Sequence, residues 1–519
     1  MKKVVIFDST LRDGAQAQGI SFSVEDKIKI AMALDKLGVD YIEAGNPGSN
    51  PKDLAFFEHF ANASLRHAKL IAFGSTRRKG ILPEDDKNLQ ALLSAGTDSV
   101  CIFGKSWDFH VTDILGATLE ENLKMIADTV AFLKRHGKEV IYDAEHFFDG
   151  YKRNPSYAMA TLQAAFDAGA DTLVLCETNG GCFPSEISSI VAEITKKFPS
   201  VGIHTHNDCE MAVANSIVAV EAGANHVQGT FTGFGERCGN ANLSAIIPSL
   251  QLKMGFDCIP AENMGLLVET ARYISEVSNI SLNPRAAYVG RSAFAHKAGM
   301  HIDGVVKSSS SFEHIDPEAV GNQRRYLTSE VAGGSALLAK IQKVDPSLTK
   351  SSPETAQIIQ GLKEMEHKGY QFEGAESSFD LFIRKQLGKY KPFFELVSYK
   401  VISERPYVEG KSASAIIKII VNGQAEITAS EGTGPMGALD RALRKALHVF
   451  YPQLDDVYLT DYKVRVLDSK AGTQSKVRVL VESTDGKQSW TTVGVSGDII
   501  SASWLALVDS IEYKLAQDG

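Results

Sequence analysis

Short apolar runs alternate with amphipathic stretches along the first half of the chain, and one local pattern recurs. In the segments KLGVDYIEAG, SAGTDSVCIFG, DAGADTLVLCETN and EAGANHVQGTF, an amphipathic stretch ends at a glycine and a β-branched apolar run follows. These glycines, Gly38, Gly96, Gly169 and Gly223, suit the left-handed residue that closes a helix. The pattern therefore predicts helices that are each followed by a buried strand.

Eight such strands are predicted in the first half of the chain. They lie near residues 4 to 9, 41 to 45, 69 to 73, 99 to 103, 139 to 143, 172 to 176, 201 to 205 and 226 to 231. Helical patterns fill the intervals, with Ser23 and Thr118 as two of their N-caps. Near-continuous apolar strands that alternate with helices form a covered parallel sheet, so the fold class is α/β. Eight units in about 250 residues predict a (β/α)8 TIM barrel. The alternative, a doubly wound open sheet, lacks its glycine-rich fingerprint after the first strand.

The pattern changes twice after the barrel. Helical stretches follow, separated by a loop-rich segment that contains HKAGMHIDG. The last part of the chain twice runs through three strand patterns and one helix pattern, which predicts an internally duplicated β3α domain. We therefore divide the chain into a barrel, 1–275, a helical linker region, 276–390, and a duplicated C-terminal domain, 391–519.

The composition is that of an ordinary globular protein, with 44% hydrophobic and 23% charged residues among 519. A formal net charge of −9 argues against a general nucleic-acid binder. No apolar run reaches about 18 residues, so no membrane span is predicted, and the opening MKKVVIFDST fits a strand better than a signal peptide. Six cysteines without a C-x-x-C pair argue against a disulfide framework. We therefore expect a cytoplasmic protein without nucleic-acid or membrane partners.

Polar residues gather at the carboxyl ends of the predicted strands, where barrel enzymes carry their active sites. The seventh strand ends in HTHND, and the spacing of His204 and His206 puts both imidazoles on one side of the strand. His-x-His alone also fits two solvated histidines. However, Asp13 follows the first strand and Asn240 follows the eighth, and closure of a barrel brings these strand ends together. Two imidazoles with a carboxylate and an amide oxygen suit a divalent ion, with the choice among Mg²⁺, Mn²⁺, Zn²⁺ and Co²⁺ left open.

Arg12 places a permanent cation beside this predicted metal site. One interpretation is an ordinary ion pair with Asp13 at the end of a strand. The other is that a guanidinium and a metal ion together bind a 2-oxo acid, whose keto oxygen becomes an alkoxide during attack on its carbon. The residues alone leave both interpretations open.

Three well-separated motifs, DSTLRDGAQ, HTHND and GERCGNAN, follow one another along the chain. With them the sequence resembles the metal-dependent barrel acyl-CoA Claisen enzymes, a family that includes isopropylmalate, homocitrate and citramalate synthases and hydroxymethylglutaryl-CoA lyase. The resemblance covers essentially the whole chain, including HKAGMHIDG and a C-terminal part similar to the leucine-sensing domain of isopropylmalate synthase. Segments such as AFGSTRRKG, FGKSWDFHVT and HTHNDCEMAVANS are most similar to the citramalate synthases within this family.

The resemblance implies a role for each matching residue. The metal ligands are Asp13, His204, His206 and Asn240. The residues that contact substrate are Arg12, Thr178 and Asp303. The catalytic residues are Arg12, Glu145 and His301, the last two in acid-base chemistry. In the family the loop that carries His301 comes from the partner subunit, so a homodimer would complete the site. Family members often have TYE after this loop, whereas this chain has SFE, and Phe312 is therefore left out of the site.

The resemblance also implies a reaction. Acetyl-CoA would condense with pyruvate, hydrolysis of the thioester would release citramalate and CoA, and isoleucine, the pathway end product, would be the effector of the C-terminal domain. The first alternative is isopropylmalate synthesis from 2-oxoisovalerate. More distant alternatives are an acyl-CoA lyase, against which the appended duplicated domain argues, and a catalytically silent amino-acid-binding protein, against which the retained Arg12, Glu145 and His301 argue.

The phosphates of CoA call for cations near the mouth of the barrel. The basic residues that follow the third and fourth strands are candidates for this contact, namely Arg77, Arg78, Lys79 and Lys105. Exposed basic loops are more often simply solvated.

Overall fold

The computed structural model of the chain describes residues 2–60, 65–327, 334–372, 375–408, 411–467, 475–486 and 488–518. It divides into two compact units, each described by itself below. The first unit comprises Met1–Phe294 and His314–Arg324, and the second comprises Ala295–Glu313 and Arg325–Gly519.

The first unit is built on a closed barrel of eight parallel strands in sequential order. The strands are β1 (Val5–Asp8), β2 (Tyr41–Gly45), β3 (Lys69–Ser75), β4 (Ser99–Lys105), β5 (Glu139–Glu145), β6 (Thr172–Glu177), β7 (Val201–Thr205) and β8 (His226–Gly229). Strand β1 pairs with both β2 and β8, which closes the sheet on itself. The predicted (β/α)8 barrel is therefore confirmed, and each predicted strand overlaps an observed one.

Helices surround the barrel. They are α1 (Val24–Leu37), α2 (Pro51–Phe60), α3 (Lys87–Ser94), α4 (Leu119–Arg135), α5 (Phe147–Arg153), α6 (Pro155–Asp167), α7 (Pro184–Ile194), α8 (Ala212–Glu221), α9 (Leu243–Pro248) and α10 (Leu267–Val277). Ser23 accepts a hydrogen bond from the backbone of Asp26, and Thr118 accepts one from Glu121, so both predicted N-caps are confirmed. The four glycines of the recurring pattern all have positive φ angles, as residues that follow a helix often do.

Alternate residues of the strands fill the inside of the barrel. A buried cluster of interior side chains comprises Phe7, Ile71, Cys101, Ile141, Val174 and Cys176. Because side chains alternate across a strand, residues two or four positions further along face the same interior nearer the carboxyl ends. Polar side chains at those positions therefore line the mouth of the barrel.

The second unit contains most of the helical linker region, a two-stranded parallel sheet and two three-stranded sheets. Its elements before the three-stranded sheets are β9 (Ala295–His296), α11 (Gly299–Lys307), β10 (Arg325–Tyr326), α12 (Gly334–Val344), α13 (Pro353–His367) and α14 (Glu376–Gln386). Helix α14 shares a core with the last strands of the chain, because Phe379 and Ile383 pack in one buried cluster with Val493.

The predicted duplication is confirmed in the C-terminal part. The first copy consists of β11 (Glu395–Val408), β12 (Lys411–Val421), β13 (Gln424–Gly432) and α15 (Pro435–His448). The second consists of β14 (Tyr458–Val466), β15 (Val477–Thr484), β16 (Ser489–Ser496) and α16 (Ile499–Asp518). Each copy is an antiparallel three-stranded sheet followed by a helix, and residues of both helices share one apolar core.

Candidate active site at the barrel mouth

Asp13, His204 and His206 converge at the carboxyl ends of β1 and β7. The Nε2 atoms of the two histidines are 3.3 Å apart, and Nε2 of His204 lies 3.5 Å from Oδ2 of Asp13. All three side chains are buried. Within the ranges that the structure describes, they form the one group of His, Cys, Asp or Glu side chains whose ligand atoms lie within 4.8 Å of one another.

The spacing and the charge of these groups fit a divalent cation. Ligand atoms at bond lengths of about 2.0–2.2 Å from one ion lie roughly 3.0–3.5 Å apart when they occupy adjacent positions. Burial lowers the pKa of both histidines, that of His206 to about 4, so the imidazoles are neutral and can offer a lone pair. Burial alone would raise the pKa of Asp13, but Arg12 and the two imidazoles hold it below its usual value, so the carboxylate is ionised.

Asn240 supplies a further oxygen in the loop after β8. Its backbone forms an isolated bridge with His206, which places it beside the end of β7. Its Nδ2 donates a hydrogen bond of 3.0 Å to the carbonyl oxygen of Phe234, while its Oδ1 is buried with no partner in the described part of the chain. A buried amide oxygen without a donor is an unfilled acceptor, which fits the predicted role as a metal ligand.

Gly235 makes room for this amide. A Cβ atom at position 235 would lie 2.2 Å from Nδ2 of Asn240, closer than any side chain tolerates. Glycine is therefore required at position 235 of the segment TGFGER, because the backbone there approaches a candidate ligand closely. The sequence alone does not reveal this contact.

Arg12 is fixed by three neighbours. Its Nε donates a hydrogen bond of 2.7 Å to Oε2 of Glu43, and its Nη1 lies 3.4 Å from Oδ2 of Asp13. The guanidinium also lies 3.8 Å from the centre of the Phe73 ring. Burial opposes the charge of Arg12, but Glu43 and Asp13 outweigh it and raise its pKa, so the cation is permanent. The ion pair with Asp13 foreseen in the first interpretation is present, and the cation stands beside the candidate metal ligands.

Thr178 and Glu145 lie at or just beyond the ends of β6 and β5. The hydroxyl oxygen of Thr178 accepts a hydrogen bond of 2.9 Å from the backbone N–H of His146, which leaves its own hydrogen free to be donated. The Glu145 carboxylate forms an ion pair with Lys105 at the end of β4. Both predicted residues therefore stand at the mouth of the same barrel, and Lys105 is engaged by Glu145.

His301 and Asp303 belong to helix α11 of the second unit. The ring of His301 stacks on that of Phe312 with centroids 4.2 Å apart, and Asp303 pairs with Lys307 at 2.6 Å. Phe312 thus contacts the histidine at the position where family members often carry a tyrosine. The catalytic role of His301 and the substrate contact of Asp303 stay predictions.

Arg77, one of the candidates for contact with CoA, is occupied by other residues of the protein. The side chain of Arg77 is buried, and it forms ion pairs of 3.0 Å with Glu121 and 2.9 Å with Asp128 of helix α4. Its charge is therefore neutralised within the protein, which argues against a contact with the phosphates of CoA.

Three residues around the site carry no recognisable signal in the sequence. Glu43 on β2 is fully buried and holds both Arg12 and the hydroxyl of Ser9. Gln228 on β8 and Asp143 on β5 form a hydrogen-bonded chain that reaches His204. Each looks like an ordinary polar residue of a strand, and only the parity of its position, facing the barrel interior, could have singled it out.

A closed (β/α)8 barrel with a His, His, Asp cluster and an adjacent arginine at its carboxyl ends defines a class of metal-dependent barrel enzymes. Family models agree with this class. Residues 3–272 match the HMGL-like family, residues 288–370 match the homocitrate synthase post-HMGL domain-like family, and residues 373–515 match the LeuA allosteric (dimerisation) domain.

Full-length relatives narrow the assignment. The chain is 52% identical to the (R)-citramalate synthase of Aquifex aeolicus, with 100% of this chain and 98% of that protein covered, and 52% identical to that of Geobacter sulfurreducens, with 99% and 98% covered. A probable 2-isopropylmalate synthase of Methanopyrus kandleri is 31% identical, with 98% of each chain covered. The chain therefore belongs to the HMGL-like family, in the branch whose full-length members are named (R)-citramalate synthase. No helix among the described residues is long and apolar enough to cross a membrane.

Proposed function

We propose that the chain condenses acetyl-CoA with pyruvate and water to give (R)-citramalate and CoA. The observation that carries this proposal is a difference in sequence identity between two groups of full-length relatives. Five proteins named (R)-citramalate synthase are 44–52% identical to the chain, whereas those named probable 2-isopropylmalate synthase are 31–32% identical. The arrangement at the barrel mouth supports the same chemistry.

The groups that would hold the metal are Asp13, His204, His206 and Asn240. A divalent ion there would act as a Lewis acid and as a template for the carboxylate and keto oxygens of a 2-oxo acid. Arg12 adds a second, fixed positive charge beside that position. Because the guanidinium is already held by Glu43 and Phe73, it can stabilise negative charge on the keto oxygen without reorganising during the reaction.

Proton removal from the methyl group of acetyl-CoA requires a base. Glu145 and His301 are the two candidates for this base. The base takes the proton, the methyl carbon forms a bond to the keto carbon of pyruvate, and the keto oxygen takes up a proton. Water then adds to the thioester carbonyl, the carbon–sulfur bond breaks, and the leaving sulfur is protonated as the thiol of CoA.

Thr178 is placed to orient the acceptor substrate. Its oxygen is already occupied as an acceptor from the backbone of His146, so its hydroxyl hydrogen points away and can be donated to a carboxylate. Such a contact would fix the carboxylate of pyruvate relative to the attacking carbon.

A thiol-release assay tests the proposal. CoA release from acetyl-CoA is measured with pyruvate, 2-oxobutyrate and 2-oxoisovalerate, before and after treatment with a chelator and after divalent ions are added back. We expect the highest kcat/KM with pyruvate, and loss of turnover with the chelator that a divalent ion restores. A clear preference for 2-oxoisovalerate would rule out citramalate synthesis, and turnover that is indifferent to chelation would rule out the metal site.

Two variants give this assay a matched comparison. His204→Ala removes a candidate ligand, and Asp208→Asn changes a carboxylate that pairs with Arg237 at 2.8 Å and lies outside the cluster. His204→Ala should lower metal affinity and turnover together. Asp208→Asn should keep the metal affinity.

Feedback regulation by isoleucine is the second part of the proposal. A cavity of about 450 Å³ in the C-terminal part is lined by residues of α15, β14, β15 and α16. Its apolar side chains, Met436, Leu459, Val481 and Leu507, suit a branched aliphatic group. Nε of Arg444 donates a hydrogen bond of 2.9 Å to Oδ1 of Asp440, and the pair suits the two ends of a free amino acid, because the Asp440 carboxylate can also accept from an ammonium group and Nη2 of Arg444 is buried without a partner in the described chain.

Assembly into a homodimer is the third part. The match of residues 373–515 to a domain described as allosteric and dimerising supports it. The resemblance of HKAGMHIDG to the loop that reaches the partner's active site in this family gives the dimer a catalytic reason.

A further inference from the structure

Gln228 stands behind His204 on the neighbouring strand of the barrel. Its backbone is in register with that of His204 in the β7–β8 pair, and its side chain is fully buried. Both polar atoms of its amide are used. Oε1 lies 3.0 Å from Nδ1 of His204, and Nε2 lies 2.9 Å from Oδ1 of Asp143 on β5.

The carboxylate of Asp143 fixes the direction of this chain of hydrogen bonds. Burial raises the pKa of Asp143 to about 7, and in its ionised form both carboxylate oxygens can only accept, so the amide turns its N–H toward Asp143 and its oxygen toward His204. The reverse orientation would bring two acceptor oxygens face to face in a buried site, which is unfavourable. Nδ1 of His204 therefore carries the hydrogen.

The consequence appears on the other side of the imidazole. With the hydrogen on Nδ1, Nε2 keeps its lone pair, and this atom faces Nε2 of His206 at 3.3 Å and Oδ2 of Asp13 at 3.5 Å. We propose that Gln228 is a positioning residue. Through its hydrogen bonds to Asp143 and His204 it keeps the hydrogen of His204 on Nδ1, which leaves the lone pair of Nε2 to bind the metal. The proposal rests on the metal site of the proposed function and adds two residues that no comparison assigns.

Two substitutions at position 228 distinguish this role from simple packing. Gln228→Met keeps the length of the side chain and removes both hydrogen bonds. Gln228→Glu keeps an acceptor toward His204 but sets a second carboxylate against Asp143. If Gln228 only fills space, Gln228→Met should keep the metal affinity and Gln228→Glu should lower it. If Gln228 orients His204, Gln228→Met should lower the metal affinity and Gln228→Glu should keep it.

The measurement is the affinity of the chelated full-length protein for Mn²⁺ and Zn²⁺ by titration calorimetry, without substrate. We expect Gln228→Met to weaken binding by about 10–100-fold and Gln228→Glu to stay within about threefold of the wild-type chain. Gln228→Leu serves if the Met variant does not fold, as judged by circular dichroism, and should show the same loss. Met or Leu variants with wild-type affinity would overturn the proposal, as would a Glu variant that binds more weakly than they do.

The same titration separates this proposal from the assignment of substrate. Because no 2-oxo acid is present, a wrong acceptor would leave the order of affinities unchanged. A wild-type chain that binds neither ion, or a His204→Ala variant that binds both as tightly as the wild-type chain, would overturn both the ligand set and the role of Gln228.

Discussion

Arg12 is held by three neighbours of different chemistry, and a lysine cannot satisfy them together. The carboxylate of Glu43, the carboxylate of Asp13 and the face of Phe73 each take a different part of the planar guanidinium. Arg12→Lys should therefore lower kcat with acetyl-CoA and pyruvate by roughly 10²–10³-fold, because a fixed charge at the developing alkoxide is lost. Metal affinity should change little, since Arg12 is not a ligand.

Steady-state kinetics and metal titration of the same preparation check this expectation. Arg66→Lys is the matched control, because Arg66 is an exposed arginine that precedes β3, at the amino end of the barrel strands and away from the candidate site. A kcat of Arg12→Lys equal to that of the control would contradict the role of the guanidinium.

Gly235 gives a second prediction at the scale of single residues. Gly235→Ala should displace the amide of Asn240 and weaken binding of Mn²⁺ by about tenfold, because the new methyl group occupies the position of Nδ2. Gly265→Ala is the control, since a Cβ atom at position 265 meets open space. Calorimetric titration measures both variants, and equal affinities would mean that Asn240 does not contribute to binding.

The sequence predicted the residues that would ligate a metal but not those that hold them in place. Asp13, His204 and His206 have ligand side chains close to strand ends, and Asn240 follows the last strand, so their chemistry is visible in the one-dimensional pattern. Glu43 and Gln228 resemble ordinary strand residues, and their role depends on partners from other strands of the closed barrel. The ion pairs of Arg77 are hidden in the sequence for the same reason, because Glu121 and Asp128, which neutralise it, lie on helix α4.

At the scale of elements, the eight strands and their helices were predictable because their signals are local. Apolar runs, capping residues and closing glycines act within a few neighbouring residues, so a single sequence carries them. The closure of the sheet depends on residues far apart in the sequence, because β1 must pair with β8. This pairing distinguishes the barrel from the open sheet. The absence of a dinucleotide fingerprint decided that question indirectly.

Strand β8 begins with a histidine that makes the stability of the barrel sensitive to acid. His226 is buried between Phe7 and Tyr41, with ring centroids 5.4 and 6.1 Å away, and its Nε2 has no partner in the described chain. Burial lowers its pKa to about 3. The unfolded chain, with a pKa of about 6.5, therefore binds a proton that the folded chain does not, and stability present above pH 6.5 is lost as the pH falls.

His226→Gln should remove this dependence. The wild-type chain should lose about 1.6 kcal/mol more than the variant between pH 6.5 and pH 5, because one protonation is involved. Thermal unfolding midpoints of both proteins at pH 7, 6 and 5 measure the difference, and groups common to both proteins cancel. Parallel pH profiles would show that His226 is not the group responsible.

The two β3α copies enclose the cavity proposed for the effector, and one substitution tests it. Asp440→Asn should raise the isoleucine concentration for half-maximal inhibition by about tenfold and leave uninhibited turnover intact, because it removes the partner of the ammonium group. Inhibition curves of the full-length protein provide the measurement. Glu426→Gln on β13 is the control, and inhibition unchanged by Asp440→Asn would place the effector elsewhere.

A point substitution is preferable here to removal of the domain. Helix α14 lies before residue 390, yet its Phe379 and Ile383 share a buried cluster with Val493 of β16. A chain that ends near residue 390 would leave these side chains without their cover, and loss of inhibition could then reflect a damaged core.

At the scale of the whole molecule, the proposed exchange of His301 between subunits has a distinct consequence. Consider a mixed dimer in which one chain carries Glu145→Gln and the other carries His301→Ala. The barrel of the second chain keeps its Glu145, and the first chain can supply that barrel with an intact His301. Co-expressed chains that assemble at random should therefore show about a quarter of wild-type turnover, because half of the dimers are mixed and each mixed dimer has one complete site.

Each variant expressed alone is the control and should be nearly inactive. Turnover of tagged, co-purified mixtures measures the effect, and size-exclusion chromatography with light scattering checks that dimers form. A mixture no more active than its components would mean that each chain uses its own His301.

The candidate ligands come from both edges of the sheet that must meet when the barrel closes. Asp13 follows β1, whereas His204 and Asn240 belong to the end of the eight-strand sequence, so the cluster exists only after β1 has paired with β8. An ion bound by these groups would link the first and last strands of the barrel and so stabilise the β1–β8 pairing. Because an ion that binds only the closed barrel stabilises it, removal of the ion should lower the free energy of unfolding as well as stop the chemistry.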